Sequence, residues 1–216
     1  MSVPFLQRCK VVLLRNAARR GVPAFLRQVH LIGLDMLLRK KHLVFYADAA
    51  DVLAAKVPPT KGVIFTEMPS WEAFCAVIAR QPVPVPATVE LGSKDWFDRG
   101  WRLWIGEMDQ RLACLGRLRN AEQSQDFFCQ MKAGSELLWH ATTLPDFLGR
   151  NLHVLLWATV LRMRIEGGVT CFYANCRDYN VPSHHNIRKM GFQLIGHAID
   201  SKITGRRTWH PLPPAR

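Results

Sequence analysis

The stretch TLPDFLGRNLHVLLWATVLRMRIEGGVTCFYANC, residues 143–176, decides the fold. Pro145 halts the extended run SELLWHATTLP (135–145). A glycine-containing loop follows, and then a strongly apolar helix over 151–168. Gly167-Gly168 end that helix, and Arg162 and Arg164 near its C-terminus suit the helix dipole. VTCFYANC (169–176) reads as a second strand. A strand, a long apolar helix and another strand predict a β-α-β crossover.

Downstream, YNVPSHHNIRKMGF (179–192) predicts a short basic helix, capped at Asn180 or Ser183 and stopped by Gly191. FQLIGHAI (192–199), a turn at Thr204-Gly205 and a short strand near Trp209 complete the chain. Upstream, WRLWIGEMDQRLACLGRLR (101–119) predicts a hairpin turning at Met108-Asp109-Gln110. GVIFTEM (62–68) predicts a strand. SWEAFCAVIAR (70–80) predicts a helix with Ser70 as N-cap and Trp71, Phe74, Cys75 and Ile78 on one face. The prolines of QPVPVPATVELG (81–92) make it an extended connector.

The N-terminal part reads differently. FLQRCKVVLLRNAARR (5–20) has the spacing of an amphipathic basic helix. Residues 24–41 repeat the style and end in Arg39-Lys40-Lys41, and LVFYADA looks like a strand. Pro58-Pro59 marks the expected boundary between a basic helical segment, 1–58, and a mixed α/β domain, 62–210, whose sheet is mostly antiparallel and flanked by helices.

The net charge of +12 is unevenly placed. Residues 1–42 hold nine Lys/Arg against one acid, Asp35, and so carry +8 of it. That asymmetry points to an anionic partner: a membrane surface first, nucleic acid less so. An Arg-rich, acid-poor start also has the look of an organelle transit peptide. The six cysteines form no CxxC, and no His/Cys spacing suits zinc, so no metal is expected and a reducing compartment is. With no run of 18 apolar residues and no signal peptide, a cytoplasmic protein is expected, peripheral at most to the inner face of a membrane.

A helix that opens at a glycine-containing loop aims free N–H groups and the positive dipole end at one point, which suits a phosphate. Together with the later fragments, this loop resembles the GCN5-related N-acetyltransferase (GNAT) superfamily. The resemblance rests on Leu144-Pro145-Asp146-Phe147, Gly149-Arg150, Glu166-Gly167-Gly168, Asn180-Val-Pro-Ser183 and Lys189-Met-Gly191-Phe192, in that order, and covers about residues 62–205. It implies a GNAT-like acyltransferase fold, acetyl-CoA or another acyl-CoA as co-substrate, and a central sheet that splays beside the short helix. It assigns the cofactor to Thr143, Leu144, Gly149, Arg150, Asn151, Leu152, His153, Asn180 and Ser183. The family loop [QR]-x-x-G-x-[GA] is altered here, with Leu148, Asn151 and His153 in place of Gln or Arg, Gly and a small residue. Asn tolerates left-handed backbone angles, so a main-chain cradle survives the change. The Tyr that many members place in the short helix as general acid is Ile187 here.

Acyl transfer needs alignment and a place for a proton. The candidates are Glu136 and His140, which alternation puts on one face of the strand, and His184 at the start of the short helix. Glu67, Glu107 and Tyr179 are further ones. Trp96, Trp101, Trp104, Trp139 and Trp157 raise an aromatic acceptor pocket, with Trp96 and Phe97 best placed to meet substrate. The expected activity is acetylation of a primary amine on a small molecule or a peptide. Two alternatives stand beside it: a degenerate domain that binds acyl-CoA or a partner without turnover, and a basic membrane- or nucleic-acid-binding module.

Overall fold

The computed structural model describes residues 22–57 without 24, 62–86, 89 and 91–213. The helix expected over 5–20 lies outside these residues. One eight-stranded sheet runs in the order β2-β3-β4-β5-β6-β1-β7-β8. In chain order, helix α1 (25–37) leads into β1 (Arg39–Asp48) and α2 (Ala49–Ala54). β2 (Val63–Met68), α3 (Trp71–Ala79) and α4 (Lys94–Asp98) precede the hairpin β3 (Arg102–Met108) and β4 (Arg111–Asn120). The crossover is β5 (Glu136–Thr143), α5 (Leu152–Glu166) and β6 (Cys171–Arg177). α6 (Val181–Lys189), β7 (Gln193–Ser201) and β8 (Arg207–Pro211) follow.

The crossover forms as its pattern dictates. β5 and β6 pair in parallel, and the other described pairings are antiparallel. The hairpin turns through Asp109 and Gln110, both at positive φ (51° and 59°), the primed-turn geometry that fits strand twist. Ser70 caps α3 by accepting from the Ala73 N–H at 3.2 Å. α3 buries Phe74 and Val77 and leaves Cys75 exposed, so its inward stripe is rotated from the expected one.

Residues 39–54 of the N-terminal segment belong to the core of the sheet. β1 lies inside the sheet, antiparallel to β6 on one side and β7 on the other. Its Val44, Phe45 and Ala47 are fully buried. α2 follows it onto the α5 side of the sheet and buries Val52. Gly191, at φ +90°, comes so close to the Asp51 carbonyl that a Cβ there would overlap it. The boundary expected at Pro58-Pro59 therefore divides no core: the sheet contains a strand from each side of it. Among the described residues no helix is long and apolar enough to cross a membrane.

Candidate functional site

The β5–β6 ladder is short. Glu136, Leu137 and Leu138 pair with Phe172, Tyr173 and Ala174. Beyond them β5 stays with β4 up to Thr143, while β6 stays with β1 up to Arg177. The sheet thus opens toward the C-terminal ends of its two parallel strands. His140 marks the opening. Gly116 pairs with Ala141 and Arg117 with Trp139, which leaves His140 as an extra residue, and its φ is +47°. A bulge of this kind bends the strand and re-aims a side chain.

The bulge also breaks the alternation on which Glu136 and His140 share a face. Glu136 lies on the α5 side, where Arg164 grips it in a forked ion pair of 2.7–3.0 Å. It is buried at the start of β5, about four strand residues or ~13 Å from the bulge. Glu136 is thus bound as a structural anchor, away from the bulge. His140 instead meets the opposite face. There Arg117, 1% exposed, donates from Nη1 to His140 Nδ1 at 3.2 Å and from Nη2 to the Leu91 carbonyl. A guanidinium only donates, so Nδ1 holds the lone pair and a neutral ring carries its proton on Nε2.

Arg117 also lies under Trp96, 4.2 Å from its ring centre. Arg119, two residues on, is stacked on Trp101 and Trp139 at 4.5 and 5.0 Å. Of the five tryptophans considered, Trp96, Trp101 and Trp139 thus gather on this face, while Trp104 and Trp157 are buried in the core. A cavity of about 510 Å³ starts at Trp139 and is lined by Trp101, Arg99, Arg119, Glu122 and Asp126. Arg117 was missed in the sequence. The signal was there: two arginines two residues apart, in a strand otherwise apolar enough to be buried.

At the mouth of the opening lies the loop before α5. Gly149 (φ +88°) and Asn151 (φ +61°, ψ 18°) are both left-handed, as the Asn-for-Gly exchange requires. Val154 and Leu155 N–H groups both turn back to the Asn151 carbonyl. The amides of Leu152 and His153 precede that first bond and have no carbonyl of their own helix to meet. Arg150 adds charge: its Nη1 is 3.0 Å from Met108 Sδ and its guanidinium lies 5.5 Å from the Phe147 ring. Arg111 reaches the same ring while ion-paired to Asp146 at 2.5 Å.

Two of the expected cofactor residues point elsewhere. Leu144 is buried, its N–H donates to Ala113 and its carbonyl accepts from Phe147, so it is committed to the fold. His153 turns its ring to α6, with Nδ1 3.1 Å from Asn186 Nδ2. Burial holds it neutral, with a pKa down at about 4. Leu152 buries its side chain and offers its amide. Thr143 ends β5, half-buried, across from Cys114.

Across the opening, Asn180 caps α6 by accepting from the Ser183 N–H at 3.3 Å. Ser183 is half-buried at the start of this helix. His184 packs its ring 5.4 Å from Phe45, and its Nε2 is buried with no hydrogen-bond partner. Burial and the neighbouring Arg188 and His185 lower its pKa. Ile187 is buried. Among the described residues no His, Cys, Asp or Glu cluster suits a metal ion.

Solved structures match this architecture. A Drosophila protein superposes with a TM-score of 0.52 at 16% identity, over 88% of this chain and 58% of its own. A tandem GNAT protein from the clavulanic acid biosynthesis pathway gives 0.52 at 13%, over 87% and 59%. A GNAT-family acetyltransferase from Colwellia psychrerythraea gives 0.51 at 15%, over 75% and 55%. The chain has the GNAT fold. It spans less than two thirds of the length of each of these three matches. No protein-family model matches the sequence, and no curated protein does. The short helix α6 follows β6 at the open end of the parallel pair.

Proposed function

We propose that the protein is an acyl-CoA-dependent N-acyltransferase, acting with acetyl-CoA on a primary amine. One observation carries this reading: the sheet opens between β5 and β6 beside a loop with left-handed Gly149 and Asn151, and the first amides of α5 after it have no acceptor in their own helix. Those amides, helped by Arg150, fit a pyrophosphate. The unpaired edges of β5 and β6 fit an extended amide arm, and Asn180 and Ser183 border it.

In the reaction the amine nitrogen attacks the thioester carbonyl carbon. The C–N bond forms, the C–S bond breaks, and the sulfur leaves as a thiolate. The amine loses one proton to solvent and the thiolate gains one. His140 carries its proton on Nε2, so its fitting role is donor to the carbonyl oxygen or the departing sulfur, not base toward the amine. Trp96, Trp101 and Trp139 wall the face from which the amine approaches.

A second reading has its own observation. Ile187 is buried where many members of the GNAT superfamily place a Tyr, so binding without turnover is consistent with the same β5–β6 opening. A thiol-release assay with acetyl-CoA and a panel of primary amines separates the two. Amine-dependent thiol release supports the enzyme. Saturable acetyl-CoA binding with no release from any amine supports the silent binder.

A further inference from the structure

Helix α1 presents two opposed faces. Gln28, Ile32 and Asp35 are buried, and polar bonds lock Gln28 and Asp35 to the body. Gln28 Nε2 donates to the Tyr179 carbonyl at 3.1 Å, and Asp35 accepts from Arg177 at 3.0 Å. The other face is apolar and open: Leu26 is 59% exposed, Val29 42% and Leu37 74%, with Val22, four residues before Leu26, at 68%. At 100° per residue these four fall within about 80° of arc. The stripe continues past the helix end. Lys202, in the turn between β7 and β8, donates its backbone N–H to the Leu38 carbonyl at 2.9 Å and its Nζ to the Met36 carbonyl at 2.5 Å. This holds Ile203, 77% exposed, beside Leu37 and Leu38.

Cations flank the apolar stripe. Arg27, Lys40, Lys202 and Arg206 are exposed around it. Asp35, the acid of this helix, is turned inward onto Arg177. Residues 1–21, which precede the stripe in sequence, hold five more Lys/Arg and no acid.

We infer that the α1 stripe and the Ile203 turn form one docking surface for an anionic lipid bilayer. A bilayer accepts aliphatic side chains at the headgroup boundary and offers negative charge to the flanking cations. A second copy of this chain would bring the same cations face to face, and nucleic acid would leave Leu26, Leu37 and Ile203 in water. Gln28 and Asp35 keep the apolar face outward.

The test is co-sedimentation of the full chain with vesicles of phosphatidylcholine alone or mixed with phosphatidylglycerol. The variant Leu26→Glu/Leu37→Glu/Ile203→Glu changes exposed side chains only, and its thermal unfolding checks that it folds. The wild type is expected to sediment with the mixed vesicles, not the neutral ones, and to be released by salt. The triple variant is expected to lose more than about a hundredfold in affinity. Wild type left in the supernatant overturns the proposal, as does a folded variant that binds equally well. Dimerisation of the wild type that the variant abolishes, without vesicle binding, assigns the surface to a second copy. Equal binding of wild type and variant to duplex DNA, without vesicle binding, assigns the cations to nucleic acid.

Discussion

Arg117 donates a hydrogen bond to Nδ1 of His140 across 3.2 Å, at the residue where β5 bulges. The bond fixes which ring nitrogen holds the proton, and it ties the strained backbone of the bulge to a buried charge. His140 stands at a left-handed φ that non-glycine strand residues rarely adopt, and such outliers gather at functional sites.

Replacing His140 by Asn keeps an acceptor near the Nδ1 position and removes the Nε2 donor. His140→Asn should retain acetyl-CoA binding within about threefold and lower kcat by about 10²-fold. Steady-state thiol release with a fixed amine measures this. An unchanged kcat removes His140 from the chemistry.

Glu136 should behave in the opposite way. Breaking its buried pair with Arg164 leaves a guanidinium without its partner, so Glu136→Ala should cost about 3 kcal/mol of stability. At a temperature where both proteins are folded, kcat should stay within about twofold of wild type. Urea unfolding and the same assay decide it.

The fold was largely legible because its signals are local. Proline, glycine and cap residues punctuate the crossover, and Asn180 does cap α6. The place of β1 was not legible. LVFYADA reads as a strand from its own residues, but pairing with β6 and β7 joins segments more than a hundred positions apart. The site was half legible. Asn151 at φ +61° follows from what Asn tolerates. The pairing of Glu136 and His140 failed because alternation assumes a regular strand, and one extra residue reverses it. His153 was assigned to the cofactor by its place in the loop, but its ring turns to Asn186 on α6.

The loop makes its own prediction. Asn151→Gly should leave stability within about 0.5 kcal/mol, since Gly adopts the same left-handed angles. Asn151→Val should cost about 1–2 kcal/mol and weaken acetyl-CoA binding, because a β-branched residue resists φ +61°. Equal binding by the two variants would show that the loop geometry is irrelevant to the ligand.

Stability should fall as acidity rises. Burial holds His42 and His153 down at about 4, and for His42 the Arg177 charge adds to the effect. The unfolded chain takes up these protons near pH 6.5, before the folded one does. Stability is therefore whole above pH 6.5 and is lost as the pH drops toward 4. Between pH 6.5 and 5 each histidine should remove about 1–2 kcal/mol. Unfolding of wild type and of His42→Gln across that window checks it: the variant should show the shallower slope.

The most direct measurement is calorimetric titration with acetyl-CoA of the wild type and of Gly149→Trp. The indole would fill the mouth of the opening, at a position whose φ of +88° already favours glycine. The account predicts saturable one-to-one binding by the wild type and at least a tenfold loss in a variant that still folds. A wild type that binds neither acetyl-CoA nor longer acyl-CoAs, or a folded Gly149→Trp that binds as well as wild type, would contradict the assignment of the β5–β6 opening to an acyl-CoA.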